Sequence, residues 1–387
     1  ILKRCNIKSV YSIEFSTLYE KENFNINYDK MLYKVYDNNK INNIENNENI
    51  KVEKCYNISK NKALQFSNEF SLGFVTEDID LLYSIKEYFT NVELFDLSQC
   101  NSEHARHHFF NGIIDGDNTS LLRKIKNTYK KNKHRNVVVA FKDNASIIEG
   151  QYCVDILLNN STNQLVPVND KFNFSYKAET HNFPTGICPF PGAETGVGGR
   201  IRDTLSCGKG GDIIAGTAGY CVGDILHDLY SKNKYNDYYN NLIHNKPLTI
   251  LIEASNGASD YGNKIGEPII QGFCRSYRGD FIDCNKNKTS RIEYLKPIMF
   301  SGGIGKILNK NNYKKDLNYG DLLIRIGGPA YRIGLGGGTA SSREQDDKNS
   351  KDDFNAVQRG DPEMASKLVR FIRKISYYNY IKSIHDQ

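Results

Sequence analysis

Lys177-Ala-Glu-Thr-His-Asn-Phe-Pro-Thr-Gly-Ile-Cys-Pro-Phe-Pro-Gly-Ala-Glu-Thr-Gly-Val-Gly-Gly-Arg-Ile-Arg-Asp203 is the stretch on which the reading of this chain turns. Just upstream, Phe172, Phe174, Tyr176 and Ala178 alternate with polar residues, the period-two pattern of a strand ending at Glu179. From Gly186 to Gly219 glycine is dense, which predicts loops shaped around a ligand. In such a loop Gly192, Gly196, Gly198 and Gly199 would leave backbone N–H groups open to an anion, and Thr195 would add a hydroxyl. Arg200 and Arg202 offer two-point charge to phosphate, and Lys177 a point charge. Glu179 and Asp203 bracket the segment with the hard oxygen donors that Mg²⁺ takes. The segment is neither a Walker A loop nor a dinucleotide fingerprint. Glycine-rich stretches alone are commonly plain connectors. Lys, Glu, His, Arg and Asp together within 27 residues favour a phosphate site.

Around this segment the pattern mixes helices and strands. Thr76 is read as the cap of a helix over Glu77–Phe89, with acidic residues in its first turn. Further helices are predicted from about Ser102 to Phe110, over Leu121–Lys131 and from an Asp361 cap to Ile375, with a strand over Asn136–Phe141. The fold class expected is α+β or α/β. Residues 38–49, 309–315 and 348–353 are polar enough to read as loops or inserts.

Composition narrows the class. A chain of 387 residues has room for two or three domains, and 39% hydrophobic with 25% charged residues suits a packed globular protein. No apolar run approaches the roughly 18 residues of a membrane helix, and no signal peptide is evident. Nine cysteines without C-x-x-C spacing argue against a zinc ribbon and for reduced thiols in the cytoplasm. The net charge of +6 suits a phosphate-rich ligand as well as an ordinary basic surface. Neither a nucleic-acid nor a membrane partner is indicated. The start at Ile1 suggests a fragment.

Several blocks together resemble the phosphoribosylformylglycinamidine synthase family in its long form. Phe95-Asp-Leu-Ser-Gln-Cys-Asn-Ser-Glu-His-Ala-Arg-His-His-Phe-Phe110 resembles the S-E-H-x-R-H block, and Lys177–Asp203 the E-T-H-N-x-P and G-A-x-T-G-x-G-G-x-I-R-D blocks. The runs from Glu253 to Pro268, Lys296 to Gly305, Gly327 to Ser342 and Ala356 to Met364 follow in the family's order. The resemblance implies a fold of the aminoimidazole ribonucleotide synthetase type. It is preceded by a short helical linker and a variable N-terminal segment. The domains would be a divergent segment at 1–60, a linker region at 61–112, a synthase N-like domain at 113–310 and the incomplete start of a C-like domain at 311–387.

The activity implied is a C–N ligase of purine biosynthesis. ATP phosphorylates the amide oxygen of formylglycinamide ribonucleotide, and ammonia from glutamine displaces phosphate from the iminophosphate. The cofactors are ATP and Mg²⁺. By residue, His104 and His181 would be catalytic. Lys177, Gly192, Ala193, Glu194, Thr195, Gly196, Val197, Gly198, Gly199, Arg200, Ile201, Arg202 and Asp203 would bind ATP. Thr180, Asn182, Phe183, Arg202 and Gln358 would face the ribonucleotide, and Glu179, Asp203 and Asp386 would hold the metal. Phe183 stands where the family often has His. His104, His107 and His108 share one helix face, but only His104 matches a family catalytic residue. The second synthase half and the glutaminase would be missing, so the fragment alone is expected to be inactive. Cys188 and Cys207 lack a base relay, so they are read as plain thiols. Two alternatives stand beside this: a non-catalytic nucleotide-binding fragment, or another ATP-dependent enzyme of the superfamily.

Overall fold

The computed structural model describes residues 2–4, 11–13, 54–70, 72–100, 110–114, 116–159, 162–226, 245–283, 288–328, 337–342, 350–378 and 380–386. The chain divides into two compact units, Ile1–Cys55 and Tyr56–Gln387. In the first, β1 (Leu2–Arg4) pairs antiparallel with β2 (Tyr11–Ile13). All other elements belong to the second.

The second unit begins with β3 (Asn57–Ser59), α1 (Lys60–Glu69), α2 (Thr76–Ile85), β4 (Tyr88–Thr90) and α3 (Asn91–Cys100). Ile58, Phe66, Leu72, Phe74, Ile79, Phe89 and Leu94 are buried together in a small core. The helix expected over Glu77–Phe89 is shorter than its pattern. Val75, not Thr76, is the N-cap, and its N–H donates to Asp78 Oδ2 at 3.0 Å. The helix stops at Ile85, because Tyr88-Phe89-Thr90 suits a pleated surface and finds β3 as a partner. Glu93 then closes the turn by accepting the Thr90 N–H at 2.8 Å. Most of the helix predicted from Ser102 to Phe110 lies outside the described residues.

Beyond this lie α4 (Leu121–Lys131), β5 (Val137–Val139), β6 (Ser146–Leu158), β7 (Leu165–Thr180), α5 (Asn182–Ile187) and α6 (Pro189–Leu205). They are followed by β8 (Asp212–Val222), α7 (Pro247–Ile265), β9 (Ile269–Ser276), β10 (Arg278–Asp283), β11 (Lys288–Glu293) and β12 (Ile298–Leu308). The short helices α8 (Gly337–Ser342) and α9 (Ser350–Ala356) precede α10 (Pro362–Ser376). α4 has its predicted bounds, capped by Ser120 Oγ, which accepts the Arg123 N–H at 3.3 Å. Two polar segments read as inserts are instead ordered. Asn311 and Asn312 are buried beside β7, and residues 350–353 open α9.

Six strands form one sheet in the order β5-β6-β7-β12-β8-β9. All neighbours are antiparallel except β8 and β9, which run parallel and are joined across α7. This mixed α+β architecture agrees with the class expected from the pattern. α6, α7 and α10 cover one face. Ala193, Val197, Ile201 and Leu205 of α6 pack there with Ala254, Ala258, Tyr261 and Ile265 of α7, with Val369 and Ile372 of α10, and with Met299 of β12.

From Asn173 to Glu179, β7 carries the phase opposite to that of an ordinary half-buried strand. Its inward residues are polar, Asn173 and Ser175 being fully buried, while Phe174 and Tyr176 stand 42% and 41% exposed on the outer face. Ile304 pairs with Tyr176 in register, and Phe273 and Phe300 lie against one another at 5.8 Å, so the outer face has an apolar centre.

The main correction concerns Gly186–Gly219. Residues 189–205 are not a loop but a 17-residue helix, and 212–222 are a strand. Pro189 occupies the first helical position, where its fixed φ suits a helix start. None of Gly192, Gly196, Gly198 and Gly199 has a positive φ. Their missing side chains serve close approach instead. A Cβ would lie 2.4 Å from the Pro184 carbonyl carbon at Gly192 and 2.8 Å from the Tyr261 hydroxyl at Gly198. On the facing helix, a Cβ on Gly257 would lie 2.1 Å from the Phe190 carbonyl oxygen. Gly198 and Gly257 thus let α6 and α7 pack closely, and Gly192 lets α6 approach α5. Their N–H groups lie within a helix rather than an open anion cradle.

Candidate functional site

β7 ends beside the last turn of α6, and this junction collects the charged residues singled out from the sequence. Lys177 and Glu179 come from the inward phase of β7, Arg202 and Asp203 from the end of α6. Lys177 Nζ pairs with Asp203 Oδ2 at 2.7 Å, and Arg202 Nε with Asp386 Oδ1 at 3.1 Å. Glu179 reaches across Gly199, where a Cβ would lie 2.8 Å from its Oε1 and 3.6 Å from Arg202 Nη2. Burial, and then the Asp203 carboxylate, push the Glu179 carboxyl up to about 7, against the pull of Lys177 and Arg202. Lys314 extends the network. Lys314 Nζ meets Asp143 Oδ1 at 2.7 Å, Asn144 Oδ1 at 3.2 Å and His385 Nδ1 at 3.1 Å, while Asn144 Nδ2 donates to Asp203 Oδ1 at 2.8 Å.

His181 follows β7 directly. Its Nδ1 lies 2.5 Å from the Gly192 carbonyl oxygen, which can only accept, so Nδ1 is the donor of this hydrogen bond. Its own N–H donates to Met299 O at 2.9 Å, which fixes the backbone that carries the ring. Thr180 is exposed at the strand end. Asn182 Oδ1 accepts the Met299 N–H at 3.0 Å. Gln358 is exposed, and its carbonyl accepts from Thr195 Oγ1 at 3.3 Å, which ties the segment before α10 to α6.

Other expectations are corrected. Arg200 does not offer its charge to a ligand. It is fully buried and forms a bidentate ion pair with Glu267, as buried as itself. Ala193, Val197 and Ile201 are core residues, so their side chains do not line a nucleotide site. Phe183 is 1% exposed and packs with Cys188, Ala340, Ala356 and Val357 rather than facing a substrate. Among the described residues no group of three or more His, Cys, Asp and Glu side chains is arranged to hold a metal ion. The expected set of Glu179, Asp203 and Asp386 is therefore not formed, and Asp386 pairs with Arg202 instead. His104, with His107 and His108, lies outside the described residues. Asp143, Asn144 and Lys314 were missed. The one signal for the first two was a polar pair just past the Val137–Val139 strand, where site residues are often displayed. Cys207 is fully buried, and burial pushes its thiol up to about 12.

Glu194 sits on another side of α6. It is 7% exposed, and burial pushes its carboxyl up to about 7 from an ordinary 4.5, with Asp260 and Asp361 adding to the rise and Lys264 opposing it. The folded protein keeps a proton that the unfolded chain releases near pH 4.5. Stability should therefore fall as pH rises through that window to about 7. Glu194→Gln should flatten this slope, leaving the share due to Glu179, and should raise stability at pH 8 by about 2 kcal/mol. Urea denaturation at pH 5 and pH 8 measures it. Equal slopes in variant and parent would clear Glu194 of the effect.

Residues 318–387 match the family model of the AIR synthase related protein, C-terminal domain. Over 345 residues, 84% of its length, the chain is 46% identical to the "Probable phosphoribosylformylglycinamidine synthase, chloroplastic/mitochondrial" of Arabidopsis thaliana, covering 24% of that relative. It is 45% identical over 342 residues to the phosphoribosylformylglycinamidine synthase of Dictyostelium discoideum, with 83% of this chain and 25% of the relative covered. The chain belongs to the phosphoribosylformylglycinamidine synthase family. It spans about a quarter of the length of these curated synthases. The human synthase is 42% identical over 344 residues, covering 84% of this chain and 25% of the relative. Among solved structures, "T. maritima PurL complexed with FGAR" is similar at 19% identity and a TM-score of 0.46, covering 79% of this chain and 38% of that one. That likeness is too loose to place individual residues. No helix among the described residues of this synthase-family chain is long and apolar enough to cross a membrane.

Proposed function

We propose that this chain takes part in the synthase reaction of its family, the ATP-dependent conversion of formylglycinamide ribonucleotide to the amidine with ammonia. The observation that carries this is the meeting of Lys177, Glu179, Arg202 and Asp203 at one end of β7, next to His181, in a chain 46% identical to a named synthase. Lys177 and Arg202 are the cations that hold anionic oxygens. Each is now balanced by an aspartate that a phosphate would displace or share. His181, whose Nδ1–H donates to the Gly192 carbonyl, would take a proton at Nε2 from the attacking ammonia. Thr180, Asn182 and Gln358 flank it on the substrate side.

The donor chemistry fits Mg²⁺ of the kind that one or two carboxylates share with nucleotide phosphates. Glu179 and Asp203 would hold it; burial and then the Asp203 charge raise the Glu179 carboxyl, and a divalent cation between the two would offset that second effect. An ion held there would supply charge neutralisation to a transferring phosphoryl group. The apolar outer sheet face around Phe174, Tyr176, Phe273 and Ile304 supports a further synthase half as partner.

The test uses the full-length polypeptide that carries this chain. ADP release should require formylglycinamide ribonucleotide and ammonium together. Arg202→Ala should weaken ribonucleotide binding by about tenfold to a hundredfold, the scale of one lost charge-assisted contact, with little change in melting temperature. Ribonucleotide affinity equal to the parent's would remove Arg202 from the site.

A further inference from the structure

Asn144 stands between two charged groups of opposite sign. Its Nδ2 donates to Asp203 Oδ1 at 2.8 Å, and its Oδ1 accepts from Lys314 Nζ at 3.2 Å. This fixes the amide one way round. Turned over, it would set its N–H₂ group against an ammonium and its oxygen against a carboxylate. Lys314 is itself anchored on Asp143, whose other oxygen accepts the Gly208 N–H at 2.8 Å. Asp143 is thus held by the backbone turn after α6, the helix that carries Asp203. With one oxygen of Asp203 held by Asn144 and the other by Lys177, the carboxylate has one rotation about its stem.

Resting on the function proposed above, we propose that Asn144 is a positioning residue for Asp203: it sets the plane in which this carboxylate meets Mg²⁺ and nucleotide phosphate. Groups that orient a metal-binding carboxylate in this way are worth roughly 10- to 100-fold in metal affinity or activity. The same contact reaches the C-terminal segment, because Lys314 also meets His385, the neighbour of the Asp386 that pairs with Arg202. Asn144 thereby couples the nucleotide side of the junction to the side assigned to the ribonucleotide.

The experiment measures ATP affinity of the full-length polypeptide by calorimetry, with and without Mg²⁺, beside melting temperature. Asn144→Ala should weaken ATP binding about tenfold in Mg²⁺ and by much less without it, with melting shifted by no more than a few degrees. Asn144→Asp keeps the volume and the Lys314 contact but sets a carboxylate against Asp203. It should weaken Mg²⁺-dependent binding by a similar factor, and it serves as the second variant if Asn144→Ala folds poorly. In an Asp203→Asn background, Asn144→Ala should cause no further loss, since it acts through that carboxylate. Unchanged affinity in Asp203→Asn itself would overturn both the site and this inference. A loss in Asp203→Asn with parental affinity in both Asn144 variants would overturn the inference alone. So would a fall in melting temperature without a change in affinity.

Discussion

Arg200→Ala is expected to destabilise the protein by about 3–5 kcal/mol, the scale measured when one partner of a buried ion pair is removed. Both side chains are 0% exposed. The guanidinium meets both oxygens of Glu267, and its Nε lies 3.5 Å from Ser301 Oγ. Truncation strands the Glu267 carboxylate among apolar neighbours, away from water. The sheet is built around the pair. A Cβ on Gly216 would lie 2.6 Å from Arg200 Nη2, and one on Gly303 2.5 Å from Nη1. The attraction itself is a smaller matter than the stranded charge, so Arg200→Met with Glu267→Leu should recover most of the loss. Urea denaturation of the two single variants and the double one checks this. A single-variant loss under about 1 kcal/mol would mean that water or another cation reaches Glu267.

Gly257→Ala should be nearly as costly, although helix propensity argues the other way. In a free helix interior the change favours folding by about 1 kcal/mol. Here the new methyl would stand 2.1 Å from the Phe190 carbonyl oxygen and 2.9 Å from its carbon, both backbone atoms that no rotamer change can clear. α6 and α7 must separate, opening the contact among Ala193, Val197, Ala254 and Ala258. Overpacking of this kind costs about 1–3 kcal/mol, and the upper end is expected because two backbones are involved. The control is Gly266→Ala, where nothing lies within 4 Å but φ is +84°. Its cost should be the conformational one alone, about 1 kcal/mol. If Gly257→Ala proves the more stable of the two by chemical denaturation, the close approach of the helices is wrong.

What the sequence made legible was chemistry more than shape. Lys177, Glu179, Arg202 and Asp203 could be grouped because they fall within 27 residues of one another, around the end of a strand legible from its alternation. α4 was legible to the residue, since Ser120 caps it and its basic face is exposed. α6 was not, because glycine reports two different things. Backbone freedom and close packing look alike in one dimension, and only the neighbours Pro184, Tyr261 and Phe190 decide between them. Arg200 was misread for a similar reason, since its partner Glu267 is 67 residues away. Lys314 carries no pattern of its own and Asn144 only its place past a strand; both gain meaning only when β7, α6 and the C-terminal segment come together. Phe183 was placed by its neighbours in the chain, yet its ring turns into the core.

The Arg200–Glu267 pair also bears on how lineages of this protein can diverge. Neither residue can change alone without passing through a form that carries a lone interior charge. Natural selection therefore sees the two codons as a single character, and their history should run in joint steps, with both charges kept, exchanged or lost together. A descendant that altered only one would start from a fitness deficit that no surface substitution could make good.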